Sequence, residues 1–308
     1  MATIKELSKK KEIISGGHRA CAGCIPMIAM RQVLRAASNP VVVGCATGCM
    51  EVVTTIYPYT AWRSSYIHNA FENVAATISG VETAYRILKK KGKIPEDTKI
   101  DFIAFGGDGG TYDIGIQSLS GAMERGHNML YVCYNNEAYM NTGVQRSSAT
   151  PYGAFTNTAP SGSVSFGKKQ FSKDLTGIMA AHRIPYVAQT SVSHWRDLVN
   201  KVQKALSIDG PTFLNILAPC QLGWRFPPEK GVEIARLAVE TCFWPLYEVE
   251  NGKLRITIKP KEKKPVLEYI KLQGRFRHLM KDSAKDVVDK IQKEIDLRWE
   301  ELLEKSKV

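Results

Sequence analysis

Up to Cys220 the chain alternates short, wholly apolar runs with amphipathic stretches, the pattern of a parallel sheet buried on both faces. The plainest pair of runs is 100–105 and 129–134. Between them, 111–125 has helical spacing, with Ile114, Leu119, Ala122 and Met123 as apolar positions and Gly126 placed to stop it. Strand, helix and strand make a crossover unit that returns the chain to the same edge of the sheet. Residues 41–45 and 186–188 read as further buried strands, and 212–218 as the final one. Helices are expected over 27–35 behind Pro26, over 175–181 and over 194–206. A longer one opens at 68–73 and runs to about Lys91, with Ala75, Ile78, Val81 and Tyr85 facing inward.

The remaining stretches set the organisation. Residues 1–17 read as a charged arm, and 139–172, rich in Ser, Thr, Gly and Pro, as a functional loop. From about Asn251 the chain becomes a basic, helix-prone tail. The expectation is an α/β fold: a mostly parallel sheet with helices on both faces over 1–250, and a basic helical extension over 251–308. No internal repeat is visible.

Composition narrows the class. Hydrophobic content of 44% and charged content of 23% suit a globular protein. No apolar stretch approaches a membrane span, and the lysine-rich N-terminus lacks the apolar core of a secretory signal. A cytoplasmic protein with no membrane role is expected. The net charge of +12 raises nucleic acid as a partner, but no zinc-finger, homeodomain or RNP-type pattern accompanies it. Tracts such as 89–93 and 259–264 read as solvated faces, with docking of an acidic protein as the alternative.

Candidate chemistry begins where 100–105 ends in Gly106-Gly107-Asp108-Gly109-Gly110. Glycines there let backbone amides approach a phosphate, and the helix start expected at Thr111 favours its charge. Asn135-Asn136 follows the next strand, so Asp108 and Asn136 both fall past the carboxyl ends of neighbouring strands, where open α/β sheets bind ligands. One carboxylate, one amide oxygen and one loop carbonyl suit Mg²⁺, which completes its octahedron with phosphate and water. The local expectation is a magnesium-diphosphate site.

Seven cysteines, an odd number, argue against a disulfide framework and towards ligation. Cys21-x-x-Cys24 sets two thiols on one loop, and Cys49 and Cys220 each follow an apolar strand at the ligand-binding rim. Four converging thiolates suit a [4Fe-4S] cluster or tetrahedral zinc equally well. Cys45 competes with Cys49, but its strand-interior position aims it into the core. Cys133 and Cys242 are likewise expected as core residues.

Gly-Asp-Gly followed after this gap by asparagine resembles the thiamine diphosphate signature. Carried over, that resemblance makes Asp108, the Asn136 side chain and the Ala138 carbonyl the protein ligands of Mg²⁺. A longer series is similar to the beta subunits of 2-oxoacid:ferredoxin oxidoreductases. It comprises Cys-Ala-Gly-Cys, Ala-Thr-Gly-Cys-Met-Glu, Tyr-Pro-Tyr-Thr-Ala-Trp and Ala-Phe-Glu-Asn. Gly-Asp-Gly-Gly-Thr-Tyr-Asp-Ile-Gly, Asn-Glu-Ala-Tyr-Met-Asn-Thr-Gly and Gln-Arg-Ser-Ser-Ala-Thr-Pro-Tyr-Gly continue it, in order, from His18 to about residue 248.

The resemblance implies the diphosphate-binding half of a thiamine diphosphate fold. It implies that Cys21, Cys24, Cys49 and Cys220 ligate a [4Fe-4S] cluster, and that Cys49, 107–110 and 136–141 contact the coenzyme. Asn141 corresponds to a polar residue near the reacting carbon. The implied activity is oxidative decarboxylation of a small 2-oxoacid, pyruvate by default, with electrons leaving through the cluster and further ferredoxin-like subunits to ferredoxin. Coenzyme A would take the acyl group. An alpha-type subunit is implied as well, carrying the glutamate that activates the coenzyme, since nothing marks Glu51, Glu72 or Glu137 for that task. Glu72 and His68 read as structural.

Two departures bear on substrate. Ile25-Pro26 replaces the Gly-Glu usual after the second cysteine, and Trp62-Arg-Ser-Ser-Tyr-Ile-His68 departs from the usual Trp-Lys-Val-Pro-Trp-Ile-His. Oxalate or a branched-chain 2-oxoacid is therefore an alternative substrate. A thiamine-dependent lyase with structural zinc, and a zinc-stabilised nucleic-acid-binding protein, are the alternative functions.

Overall fold

The computed structural model describes residues 3–307. Its strands are β1 (Val41–Ala46), β2 (Ser65–Asn69), β3 (Asp101–Gly107), β4 (Leu130–Asn135), β5 (Tyr186–Ser191), β6 (Thr212–Leu217), β7 (Leu246–Glu250) and β8 (Lys253–Ile258). They form one sheet in the order β2-β1-β3-β4-β6-β5-β7-β8. The first six are mutually parallel; β7 runs antiparallel to β5 and β8 antiparallel to β7.

Side-chain alternation assigns each strand residue to a layer. Ile103, Phe105, Val132 and Leu214 pack with the helices Ile25–Ala36 and Trp195–Ser207 on one face. Phe102, Ala104, Tyr131 and Phe213 pack with Val74–Lys90, Ile116–Glu124 and Leu175–Ala181 on the other. The helix Val74–Lys90 lies close on β1, because a Cβ on Gly44 would stand 2.7 Å from Ile78. Fully buried Ile78 contributes about 1.5–3 kcal/mol through removal from water.

Several sequence expectations need correction. The helix expected to open at 68–73 begins at Val74, with Asn73 at its cap, and Glu72 before it is exposed. Residues 65–69 instead pair with the outer edge of β1, where ladder hydrogen bonds outweigh weak local helix preference. The segment after Asp108 starts as a π-helical turn, Gly109–Ile114, before the α-helix Ile116–Glu124. That wider turn rotates Ile114 off the inward face and leaves it 58% exposed.

Nor is β6 the last strand. The hairpin β7–β8 turns at Asn251-Gly252, both with positive φ, on the boundary expected between the main domain and the basic extension. Beyond it, Tyr269, Phe276, Leu279, Ile291 and Ile295 join Trp224, Phe226, Ile234 and Trp244 in a third core. The loop over 139–172 folds onto the carboxyl rim and buries Ser147, Ala149, Thr150 and Ala154. The N-terminal arm is tied down by Ile14, which is buried and bridges to Trp62. No helix among the described residues is long and apolar enough to cross a membrane.

Candidate functional site

Asp108 follows β3 directly and Asn136 follows β4, so their parallel pairing sets the two side by side at the rim. Asp108 is fully buried. Its Oδ1 accepts the Asn136 backbone N–H at 3.2 Å, and its Oδ2 accepts the Ser147 hydroxyl. Burial pushes the carboxyl up to about 7, against the pull of those two donors.

One terminal amide atom of Asn136 lies 2.9 Å from Asp108 Oδ1 and 2.9 Å from the Ala138 carbonyl oxygen. A nitrogen there donates to both oxygens. An oxygen there makes three acceptors converge with no proton among them, a donor set that fits Mg²⁺.

A cleft opens over this group. Of the eight residues expected against the coenzyme, Cys49, Gly107, Gly109, Gly110, Asn136, Ala138 and Asn141 line it, while Asp108 lies beneath. Gly109 permits the close approach of Tyr139: an added Cβ would stand 2.4 Å from that ring, whose hydroxyl donates to the Gly109 carbonyl at 2.8 Å. The narrow, glycine-walled floor fits a diphosphate. Asn141 stands exposed at the mouth.

The four singled-out cysteines come together beside the cleft. Cys24 caps the helix Ile25–Ala36 and its N–H donates to the Cys21 carbonyl at 3.1 Å. Cys49 opens the helix Cys49–Thr54. Cys220 caps the short helix Gln221–Trp224, its Sγ accepting the Gly223 N–H at 3.4 Å. Burial pushes the Cys24 thiol up to about 11, with the charges of Cys220 and Cys21 adding to it. Burial likewise pushes Cys49 up to about 12, and Cys220, Cys24, Cys21 and Asp108 all add.

Among the described residues no three His, Cys, Asp or Glu side chains stand tightly enough to hold one metal ion. Tetrahedral zinc, with Zn–S near 2.3 Å, would need sulfurs about 3.8 Å apart. Cys45 and Cys133 are fully buried in β1 and β4, on opposite sides of the sheet, and Cys242 is in the third core.

Residues that the sequence did not mark complete the site. Ser147 anchors Asp108; the next residue, Ser148, is held through its N–H (3.0 Å) and its hydroxyl by Asp113. Lys168, buried, donates to the carbonyls of Ser148 and Thr150 from across the loop. The Gln-Arg-Ser-Ser-Ala-Thr-Pro run was visible, but its contact with Asp108 spans 39 residues and has no local sign. Glu137 is occupied by a buried ion pair with Arg275 at 2.6 Å. Glu51 accepts the Thr55 hydroxyl at 2.8 Å, and His68 meets Thr47 at 3.1 Å, in keeping with structural roles.

Comparison with known proteins adds to this geometry. The family described as thiamine pyrophosphate enzyme, C-terminal TPP-binding domain, matches residues 42–216. The pyruvate synthase subunit PorB of Thermotoga maritima is 58% identical, with 97% of this chain and 95% of that protein aligned. The subunit of the same name from Methanocaldococcus jannaschii is 55% identical over 93% of this chain and 95% of that protein. The ketoisovalerate oxidoreductase subunit VorB of Pyrococcus abyssi is 44% identical over 95% and 93%. A solved 2-oxoglutarate:ferredoxin oxidoreductase from Magnetococcus marinus shares the fold, with TM-score 0.56 at 18% identity over 74% of this chain and 81% of that one.

Proposed function

Because this chain belongs to the pyruvate:ferredoxin oxidoreductase beta-subunit family, a thiamine diphosphate-binding family, we propose that it binds that coenzyme in the Gly107–Asn141 cleft and acts on pyruvate. Asp108, the Asn136 amide oxygen and the Ala138 carbonyl hold Mg²⁺ against the diphosphate. The observation that carries this is the convergence of Asp108 Oδ1 and the Ala138 carbonyl oxygen, each 2.9 Å from the same Asn136 amide atom, under a glycine-walled floor. Cys21, Cys24, Cys49 and Cys220 hold a [4Fe-4S] cluster; the mutual electrostatic influence of these four thiols beside the cleft supports it. Pyruvate is favoured over a branched-chain 2-oxoacid because identity to the pyruvate synthase subunits, at 58%, exceeds that to the ketoisovalerate subunit, at 44%.

When bound, thiamine diphosphate supplies the electron sink for decarboxylating a 2-oxoacid. The residues of this chain do the rest. The loop at 136–138 orients the diphosphate end. Tyr139, locked to Gly109, closes the floor against water. Cys49 lines the cleft and belongs to the sulfur quartet, so it is the side chain common to the coenzyme and the electron exit. Asn141, at the mouth, offers a hydrogen bond near the reacting end.

The chain is one subunit of an enzyme complex. An alpha-type subunit completes the coenzyme site, ferredoxin-like subunits lead electrons to ferredoxin, and coenzyme A accepts the acyl group. Cysteines that ligate a cluster or lie in the core, rather than pairing as disulfides, support a cytoplasmic location. The decisive test is anaerobic assembly with the partner subunits, followed by iron, acid-labile sulfide and thiamine diphosphate analysis. Pyruvate-dependent, coenzyme A-dependent reduction of methyl viologen is expected. Zinc without sulfide, or faster reduction with a branched-chain 2-oxoacid or oxalate, would overturn the corresponding part.

A further inference from the structure

The residue between two of the magnesium donors is held in a conformation it would not adopt unaided. Glu137 has φ +64°, the left-handed region that non-glycine residues rarely occupy. Each of its polar groups is fixed from a different segment. Its N–H donates to Asn135 Oδ1 at 3.0 Å, and its carbonyl accepts the Thr150 hydroxyl at 2.7 Å. Its carboxylate accepts Arg275 Nη2 at 2.6 Å, and both side chains are only 2% exposed. Arg275 lies in the 3-10 segment Gly274–Met280, far along the chain from the rim motifs.

Arg275 also stacks over Trp224, its guanidinium carbon 3.7 Å from the ring centroid, and donates through Nε to Gln273 at 2.9 Å. Trp224, fully buried, donates its indole N–H to the Asn136 carbonyl at 2.7 Å. Its own backbone N–H donates to the Cys220 carbonyl at 2.8 Å. A continuous packed path thus runs from the peptide carrying two magnesium donors, through Trp224, to the turn that carries Cys220, with Arg275 bracing both ends.

We propose that Trp224 and Arg275 are positioning residues for the 136–138 loop, tying the magnesium site to the Cys220 turn. This rests on the magnesium and cluster reading above. Trp224 fixes the Asn136 peptide plane, which sets the direction of its side-chain amide and of the Ala138 carbonyl. Arg275 neutralises Glu137, so that Asp108 is the net negative charge the loop offers to the metal, and keeps the indole in place.

The test uses the assembled, thiamine diphosphate-loaded complex, with Mn²⁺ as the spectroscopic substitute for Mg²⁺. Trp224→Phe keeps an aromatic ring under Arg275 but removes the indole N–H together with part of the ring volume; Arg275→Met removes charge and fork. Mn²⁺ binding, followed by electron paramagnetic resonance, is expected to weaken about three- to tenfold in Trp224→Phe. It should weaken further in Arg275→Met, with iron content unchanged in Trp224→Phe and a shift in the reduced-cluster spectrum. Wild-type Mn²⁺ affinity in Trp224→Phe overturns the proposal, whatever the Arg275 variant does. Asp108→Asn separates the two levels: lost Mn²⁺ binding there beside an unchanged Trp224→Phe defeats the positioning role alone. Retained Mn²⁺ binding in Asp108→Asn defeats the magnesium reading itself.

Discussion

Ser147 donates its hydroxyl hydrogen to Asp108 Oδ2, so the carboxylate turns only Oδ1 towards Asn136. The choice of oxygen is made from the loop over 139–172, not from the strand that carries the aspartate. Ser147→Ala removes a hydrogen bond to a charged group, worth about 1.5–3 kcal/mol. Calorimetric titration of the coenzyme-loaded complex is expected to show Mg²⁺ binding weakened by at least about tenfold. Unchanged affinity would mean that Oδ2 needs no anchor.

The two glycines after Asp108 separate folding from binding. A Cβ on Gly110 would stand 2.8 Å from the Phe71 backbone carbonyl, which leads into the helix Val74–Lys90 and cannot step aside. The atoms nearest a Cβ on Gly109 belong to the Tyr139 ring, which can rotate, breaking its bond to the Gly109 carbonyl and entering the cleft. Gly110→Ala is therefore expected to lower Tm more than Gly109→Ala, while Gly109→Ala loses coenzyme affinity with Tm nearly kept. Differential scanning fluorimetry with and without thiamine diphosphate reads both.

Cys45 and Cys49 sit four residues apart with opposite fates. Cys45 is fully buried within β1, whereas Cys49 opens the helix at the rim and lines the cleft. Cys49→Ser is expected to lose cluster iron and sulfide on anaerobic purification, and Cys45→Ser to retain both at some cost in stability. The reverse pattern would exchange their assignments.

A pH dependence follows from Glu248 in β7. Burial opposes its ionisation, but hydrogen bonds from Tyr186, Arg255 and Lys204 override it and hold the carboxyl at about 2, below its ordinary 4.5. A depressed carboxyl contributes fully above 4.5, and that contribution is lost as pH falls through about 2. The Tm difference between wild type and Glu248→Gln should be largest near pH 7 and shrink steadily below pH 4.5. A difference independent of pH would show that packing, not charge, holds this corner.

Much of the rim was legible because its signals are local. An apolar run broken by glycines and one aspartate can hardly be anything but a strand entering a turn, and Asn135-Asn136 repeats the event one crossover later. Other features failed for identifiable reasons. The edge strand β2 is half-exposed and lacks alternation, so only the open edge of β1 defines it. The β7–β8 hairpin carries a local sign, alternating residues around Asn251-Gly252, but the basic composition beyond it is equally that of a solvated helical tail. Arg275 meets Glu137 across 138 residues, and no window on the sequence holds both. Buried Glu82 is a mixed case: Arg86, four residues on in the same helix, pairs with it at 2.8 Å within one window, whereas His127, at 3.0 Å, lies 45 residues away.

The strand order has a bearing on biogenesis. β6 is threaded between β4 and β5, so the centre of the sheet stays open until residues 212–217 arrive. Cys220 follows immediately, and Trp224 and Arg275 later still. A nascent chain still short of that point on the ribosome lacks both Cys220 and the Trp224–Arg275 brace on the 136–138 loop. On the cluster reading proposed above, a product truncated before Cys220 is expected to emerge colourless, without cluster iron.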